Sequence, residues 1–134
     1  MSGMSGRVFR SGVLKSFIVA WVFVYGTLRS GGVAAHLIDG LRRPATLPDH
    51  SLYGRTHPYP FVAPRQGGAV RGEIVAVADD VLGQLDEYEG DEYVRVEATV
   101  RTDPGDVVAQ VWVAVVDPPL PESELIPSGD WFDR

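Results

Sequence analysis

A chain of 134 residues, 45% hydrophobic and 22% charged, fits one globular domain large enough to bury its own core. It contains no cysteine, which excludes disulfides and thiolate chemistry and suits a reducing, cytoplasmic setting. A formal net charge of −6 argues against nucleic acid, whose phosphates must be neutralised by Lys and Arg, and against anionic membrane surfaces.

Residues 1–16 contain Gly and Ser, repeat Met-Ser-Gly and lack periodicity. They read as a disordered N-terminal extension, with Met4 as an alternative start. Arg7, Arg10 and Lys15 ahead of an apolar run superficially copy a secretory signal, yet no small-residue cleavage site follows. Residues 17–25 are uniformly apolar, β-branched or aromatic, and too few for a membrane helix, which needs about 20. They predict a strand buried on both faces, stopped by the turn Gly26-Thr27-Leu28-Arg29. Successive backbone N–H groups in such a turn form an anion-binding concavity, although most glycines at strand ends only redirect the chain.

Residues 31–41 allow one or two helical turns. Five prolines between residues 42 and 66 exclude a long helix there, so short strands are expected near 46–53 and 61–63, joined by loops. Gly67-Gly68 reads as a turn. Residues 69–77 then alternate as a strand, with Val70, Gly72, Ile74 and Ala76 on one face.

Asp79-Asp80 are suited to cap a helix. Val81, Leu82, Leu85 and Tyr88 follow at three- and four-residue intervals and make an apolar stripe. Glu89 lies four residues after Leu85 and so falls in that stripe, while Glu87 points the other way. Gly90 ends the helix in a left-handed stop. A carboxylate turned inward at a helix C-terminus has a raised pKa, as a general acid/base requires. The alternative is a frayed end with Glu89 as a solvated charge.

Residues 93–101 alternate, with Val94, Val96, Ala98 and Val100 on one side and Tyr93, Arg95, Glu97 and Thr99 on the other. A turn at 103–106 and a β-prone run at 107–116 complete an antiparallel pair. We place the domain at residues 17–117, followed by a proline-rich tail at 118–134 that packs on it through Trp131. The sum is an α+β, β-rich fold: a small, mixed, curved or closed sheet with one or two short helices.

His36, His50 and His57 lack metal-ligand spacing, and the carboxylates Asp86, Glu87, Asp91 and Glu92 around Glu89 read as a solvated loop. There is no serine-nucleophile elbow and no phosphate-cradling glycine loop. We therefore expect no metal and no cofactor.

Tyr25-Gly-Thr-Leu-Arg29 and Leu85-Asp-Glu-Tyr-Glu-Gly90, taken together, resemble the γ-glutamylcyclotransferase-like family. The likeness continues through Gly72-Glu73, Tyr93-Val94-Arg95 and Val111-Trp112-Val113, and covers residues 22–116. It implies a compact mixed barrel with its site in a cavity at one end. It also implies an enzyme that cleaves a γ-glutamyl amide by attack of the substrate's own α-amine, releasing 5-oxoproline and a free amine. Glu89 is then the general acid/base. Tyr25, the backbone of Gly26, Thr27 and Leu28, and Tyr93 seat the substrate, a small-molecule γ-glutamyl amine. The linker from Glu89 to Tyr93 is shorter than in some relatives. Arg29 either adds positive charge or is a plain surface arginine, and Leu52-Tyr53, the loop at 56–64 and Trp131-Phe132 are the candidates to shape the leaving-amine pocket. Two other readings stay open: a non-catalytic binding or regulatory module, and a γ-glutamyl amide hydrolase. Oligomeric state is open too.

Overall fold

The apolar run beside the turn forms the central strand of the molecule. In the computed structural model, which describes residues 7–10, 13–16, 18–32, 35–38 and 40–134, it spans Val19–Val24 (β3). Val22, Phe23 and Val24 are all buried, so both faces are covered as the sequence predicts. Phe17, Met4, Val33 and Ala34 lie outside the described residues. Within the expected N-terminal extension, Arg7–Arg10 (β1) pairs antiparallel with Val13–Ser16 (β2).

Five strands close on one another around β3. Arg42–Tyr53 (β4) and Phe61–Ala78 (β5) form a long antiparallel hairpin, and β5 pairs antiparallel with β3. Tyr93–Thr102 (β6) and Gly105–Ala114 (β7) form a second hairpin, whose β7 lies parallel to β3 through Val22↔Gln110. A single pair, Thr46↔Arg101, joins β6 back to β4 and completes the ring. Leu125–Ile126 (β8) adds to the end of β4 at Leu52 and Tyr53.

Side-chain alternation on these strands builds two apolar clusters. One takes Phe23, Leu47, Val70, Ile74, Val100 and Val111, which come from all five ring strands, and so fills the ring. Trp131 of the tail is buried in the same cluster. The other takes Val22, Val24, Val75, Val77 and Trp112 from the opposite strand faces and packs them against Leu85. Leu85 belongs to the helix Leu82–Glu89 (α1), so this second cluster is the seat of the helix. Among the described residues no helix is long and apolar enough to cross a membrane.

Several expectations need correction. The proline-rich stretch does not break into short strands, because β4 runs continuously through Pro44 and Pro48. Its contact with β6 is one residue pair, which leaves most of that edge without ladder donors to supply. Gly67-Gly68 is no turn either: β5 passes straight through it, opposite an irregularity between Pro48 and His50. A Cβ on Gly68 would sit 2.3 Å from the His50 carbonyl oxygen, so glycine here serves close strand approach at a bulge. Asp79-Asp80 are not the cap but open a 3₁₀ turn, Asp79–Val81, whose N-cap position is Ala78. Tyr88 leaves the apolar stripe and is exposed. Val94, at the start of β6, is likewise exposed, although Val96, Ala98 and Val100 face the core as expected.

Candidate active site

Where β3 runs out, the chain turns across the end of α1 and leaves a cavity of about 550 Å³. Tyr25, Gly26, Thr27, Leu28, Glu89 and Tyr93 all line it. Local structure explains how residues so far apart in sequence meet. Leu85 anchors α1 in the cluster beneath β3 and β7, and one helical turn later Glu89 emerges on the same side. Glu87 is exposed. Gly90 stops the helix at φ 81°, where an L side chain is strained, although its ψ of −166° is extended rather than the expected left-handed helical value.

The turn after β3 is tied down from two sides. Arg42 on β4 donates from Nη1 to the Leu28 carbonyl (2.9 Å) and to Glu73 Oε1 (3.0 Å), and from Nη2 to the carbonyls of Ala35 and Ile38. Glu73 Oε1 also accepts from the Ser30 N–H at 2.8 Å. Arg29 N–H closes the turn onto the Gly26 carbonyl at 3.0 Å. Among the described residues, the N–H groups of Gly26, Thr27 and Leu28 have no protein acceptor. Gly26 is required for proximity rather than for its own turn angle: a Cβ would lie 2.5 Å from Pro60 Cγ.

Glu89 is partly buried in this cavity, and burial pushes its carboxyl up to about 7. Two phenols share the cavity. Tyr25 donates to the Trp112 carbonyl at 2.6 Å, and Tyr93 donates to the Pro60 carbonyl at 2.7 Å while stacking on Phe61. Burial, with the Glu89 charge adding to it, pushes both phenols above their usual pKa, so both stay neutral. Since each hydroxyl proton is committed to a carbonyl, the lone pairs left on each oxygen are acceptors. The site therefore offers backbone donors on one wall and oxygen acceptors on the others. It lacks a cationic side chain among the residues that line it.

Three supporting residues escaped the sequence reading. Arg42 carried no local signal, because its four acceptors meet it only through the fold. Asp86, read as part of a solvated acidic loop, instead accepts from Trp112 Nε1 at 2.9 Å and pairs with Arg95 at 3.2 Å. Pro60 props both Gly26 and Tyr93. Arg29 adds no free charge to the cavity, as its guanidinium bonds Asp130 at 2.7 Å under the Phe132 ring. Of the segments expected to shape the leaving-amine side, Pro58, Tyr59 and Pro60 do line the cavity, whereas Leu52, Tyr53, Trp131 and Phe132 do not. Leu52 and Trp131 serve the core instead.

A family described as gamma-glutamyl cyclotransferase, AIG2-like, matches residues 22–133. The chain belongs to this family. AIG2-like protein A of Arabidopsis thaliana is 36% identical over 111 residues, covering 74% of this chain and 65% of the plant protein. The chain thus spans just under two thirds of the length of the Arabidopsis relatives it matches. A second Arabidopsis thaliana protein, solved in solution, superposes with a TM-score of 0.67 at 25% identity, covering 79% of this chain and 74% of that one. A solved gamma-glutamyl cyclotransferase shares the fold at a TM-score of 0.61 and 22% identity, covering 73% and 68% of the two chains. The closed, sheet-rich ring with one short helix is thus the architecture of the AIG2-like gamma-glutamyl cyclotransferases.

Proposed function

We propose that this AIG2-like protein is a cyclotransferase that cleaves small γ-glutamyl amides by intramolecular attack. The α-amine nitrogen of the glutamyl group forms a bond to the side-chain carbonyl carbon, and the C–N bond of the amide breaks. The products are 5-oxoproline and a free amine, and water takes no part. Such a reaction asks little of the protein beyond folding the substrate into a near-attack geometry, stabilising the oxyanion and moving one proton. Glu89 takes the proton from the α-ammonium and returns it to the departing nitrogen. A carboxyl pushed to about 7 is populated in both forms near neutrality, so one group serves both steps. The N–H groups of Gly26, Thr27 and Leu28 hold the substrate carboxylate or the developing oxyanion, and Tyr25 and Tyr93 accept from its nitrogen.

The observation that carries this reading is Glu89, partly buried in one cavity with a turn whose N–H groups lack protein acceptors. The test is product analysis of the purified protein with γ-glutamyl amino acids, γ-glutamyl-ε-lysine and γ-glutamyl alkylamines. Release of 5-oxoproline supports cyclisation. Free glutamate means that Glu89 activates water instead. Neither product from any of the three substrate classes makes the scaffold a binding module.

A further inference from the structure

A second cleft, of about 340 Å³, has no role in the reaction above. It lies at the seam where β6 meets β4, and three guanidinium groups line it: Arg29, Arg71 and Arg101. Ring closure brings the last two together. Thr46 of β4 is the register partner of Arg71 on β5 and of Arg101 on β6, so the two arginines flank one threonine across three adjacent strands. Neighbouring strands lie about 5 Å apart, and an arginine side chain is long enough for both heads to reach a common guest above Thr46.

The charges in the cleft are not balanced internally. Asp130 pairs with Arg29 through Nη1, and the remaining carboxylate in the lining is that of Asp103. Asp106 is the register partner of Arg101 on β7 but makes no ion pair with it. The Arg71 backbone donates its N–H to the Gly129 carbonyl at 2.8 Å, and the Arg71 charge acts on Asp130 without forming an ion pair with it. Neither Arg71 nor Arg101 has an ion-pair partner among the described residues. Arg29 supplies an independent sign of unfilled capacity, because its Nε is buried without a hydrogen-bond acceptor. In a chain of net charge −6, two arginines without ion pairs, set in a concave cleft around a hydroxyl, suit a tetrahedral oxyanion.

We propose that this cleft binds a phosphate group, with Arg71 and Arg101 as its fork-like donors and the Thr46 hydroxyl between them. The group is carried by inorganic phosphate or pyrophosphate, or by a phosphate ester such as a nucleotide. The test is calorimetric titration of the full chain, in chloride buffer, with phosphate, pyrophosphate and a nucleoside diphosphate. Hydrogen bonds to charged groups are the strong ones, so Arg71→Ala and Arg101→Ala should each weaken pyrophosphate binding by about tenfold or more. Arg65→Ala, at an exposed arginine paired with Glu122, should leave affinity unchanged. Tighter binding of the nucleoside diphosphate than of pyrophosphate assigns the site to an ester, and equal binding assigns it to the phosphate alone; both support the proposal. Failure of all three ligands to bind, or equal loss in the Arg65 variant and the cleft variants, overturns it. Thermal midpoints of the variants, expected to match the wild type because Arg71 and Arg101 are exposed, separate lost binding from lost folding.

Discussion

Asp86 and Trp112 join the helix to the sheet: Trp112 Nε1 donates to Asp86 Oδ1 at 2.9 Å, three residues before Glu89. The same tryptophan's carbonyl accepts the Tyr25 hydroxyl at 2.6 Å, and Arg95 braces Asp86 from β6. A tie from helix to sheet therefore continues, through one residue, to the phenol in the cavity.

Asp86→Ala should cost about 1–3 kcal/mol, the range for leaving a partly buried indole N–H without its acceptor. Asp86→Asn keeps an acceptor oxygen for the indole and loses only the charge on Arg95, so it should recover most of that loss. Urea denaturation of both variants checks this. Since Asp86 acts on Glu89 only by holding the helix, Asp86→Ala should lower kcat more than Asp86→Asn while the pH of half-maximal activity stays put. Equal stabilities for the two variants would mean that the indole bond is not what holds the helix.

Gly26→Ala is expected to disturb the cavity through Pro60. The new methyl would meet Pro60 Cγ at 2.5 Å, and Pro60 holds the Tyr93 hydroxyl through its carbonyl. Overpacking of this kind costs about 1–3 kcal/mol. The thermal midpoint should fall, and the Tyr93 ring resonances should shift as Pro60 moves. A wild-type midpoint with unshifted Tyr93 signals would show that the loop carrying Pro60 yields freely.

Arg42→Lys should loosen the turn, because an ammonium cannot reproduce a planar fork that bonds three carbonyls and Glu73 at once. Amide exchange at Ser30 should accelerate as Glu73 loses its second partner, while amides of β6 and β7 keep their protection. Uniform acceleration across the whole molecule would instead mark Arg42 as a residue of global stability.

These supporting residues mark the boundary of what the sequence reveals. A local pattern marks each wall of the cavity as a candidate, and the family resemblance of the two motifs together is what selects them over a plain turn and a solvated Glu89. The run ending at Tyr25 reads as a doubly buried strand, and the interval from Leu85 to Glu89 turns a carboxylate to the side that Leu85 buries. Arg42, Asp86 and Pro60 have no such period, since their partners lie on other strands and are brought near only by ring closure. The same limit explains the misread glycines. Gly67 and Gly68 look like a turn in isolation, and only the β4 carbonyl crowding Gly68 shows why glycine is needed there. Spacing alone puts Tyr88 in the apolar stripe. It lies at the mouth of the cavity, where its hydroxyl is 3.1 Å from Thr27 Oγ1.

The decisive comparison is Glu89→Gln against Glu87→Gln. Glutamine keeps the volume of Glu89 but cannot accept the substrate proton, so turnover should fall by roughly 10²–10⁴-fold with substrate binding little changed. Glu87 is exposed on the other side of the helix, and its variant should be nearly silent. In the wild type, kcat/KM should rise with pH through about 7 as Glu89 ionises in the free enzyme. Stability should move the opposite way. Burial raises the folded-state pKa from 4.5 to about 7, so between those values the native state holds a proton that the unfolded chain has released. The Glu89 contribution is therefore full below about 4.5 and is lost as pH rises through about 7. Denaturation at pH 5 and pH 8 should show that loss in the wild type and in Glu87→Gln, and much less of it in Glu89→Gln. Should Glu87→Gln be the inactive protein, or should Glu89→Gln keep both full turnover and the wild-type pH dependence of stability, Glu89 is not the carboxyl that the cavity titrates.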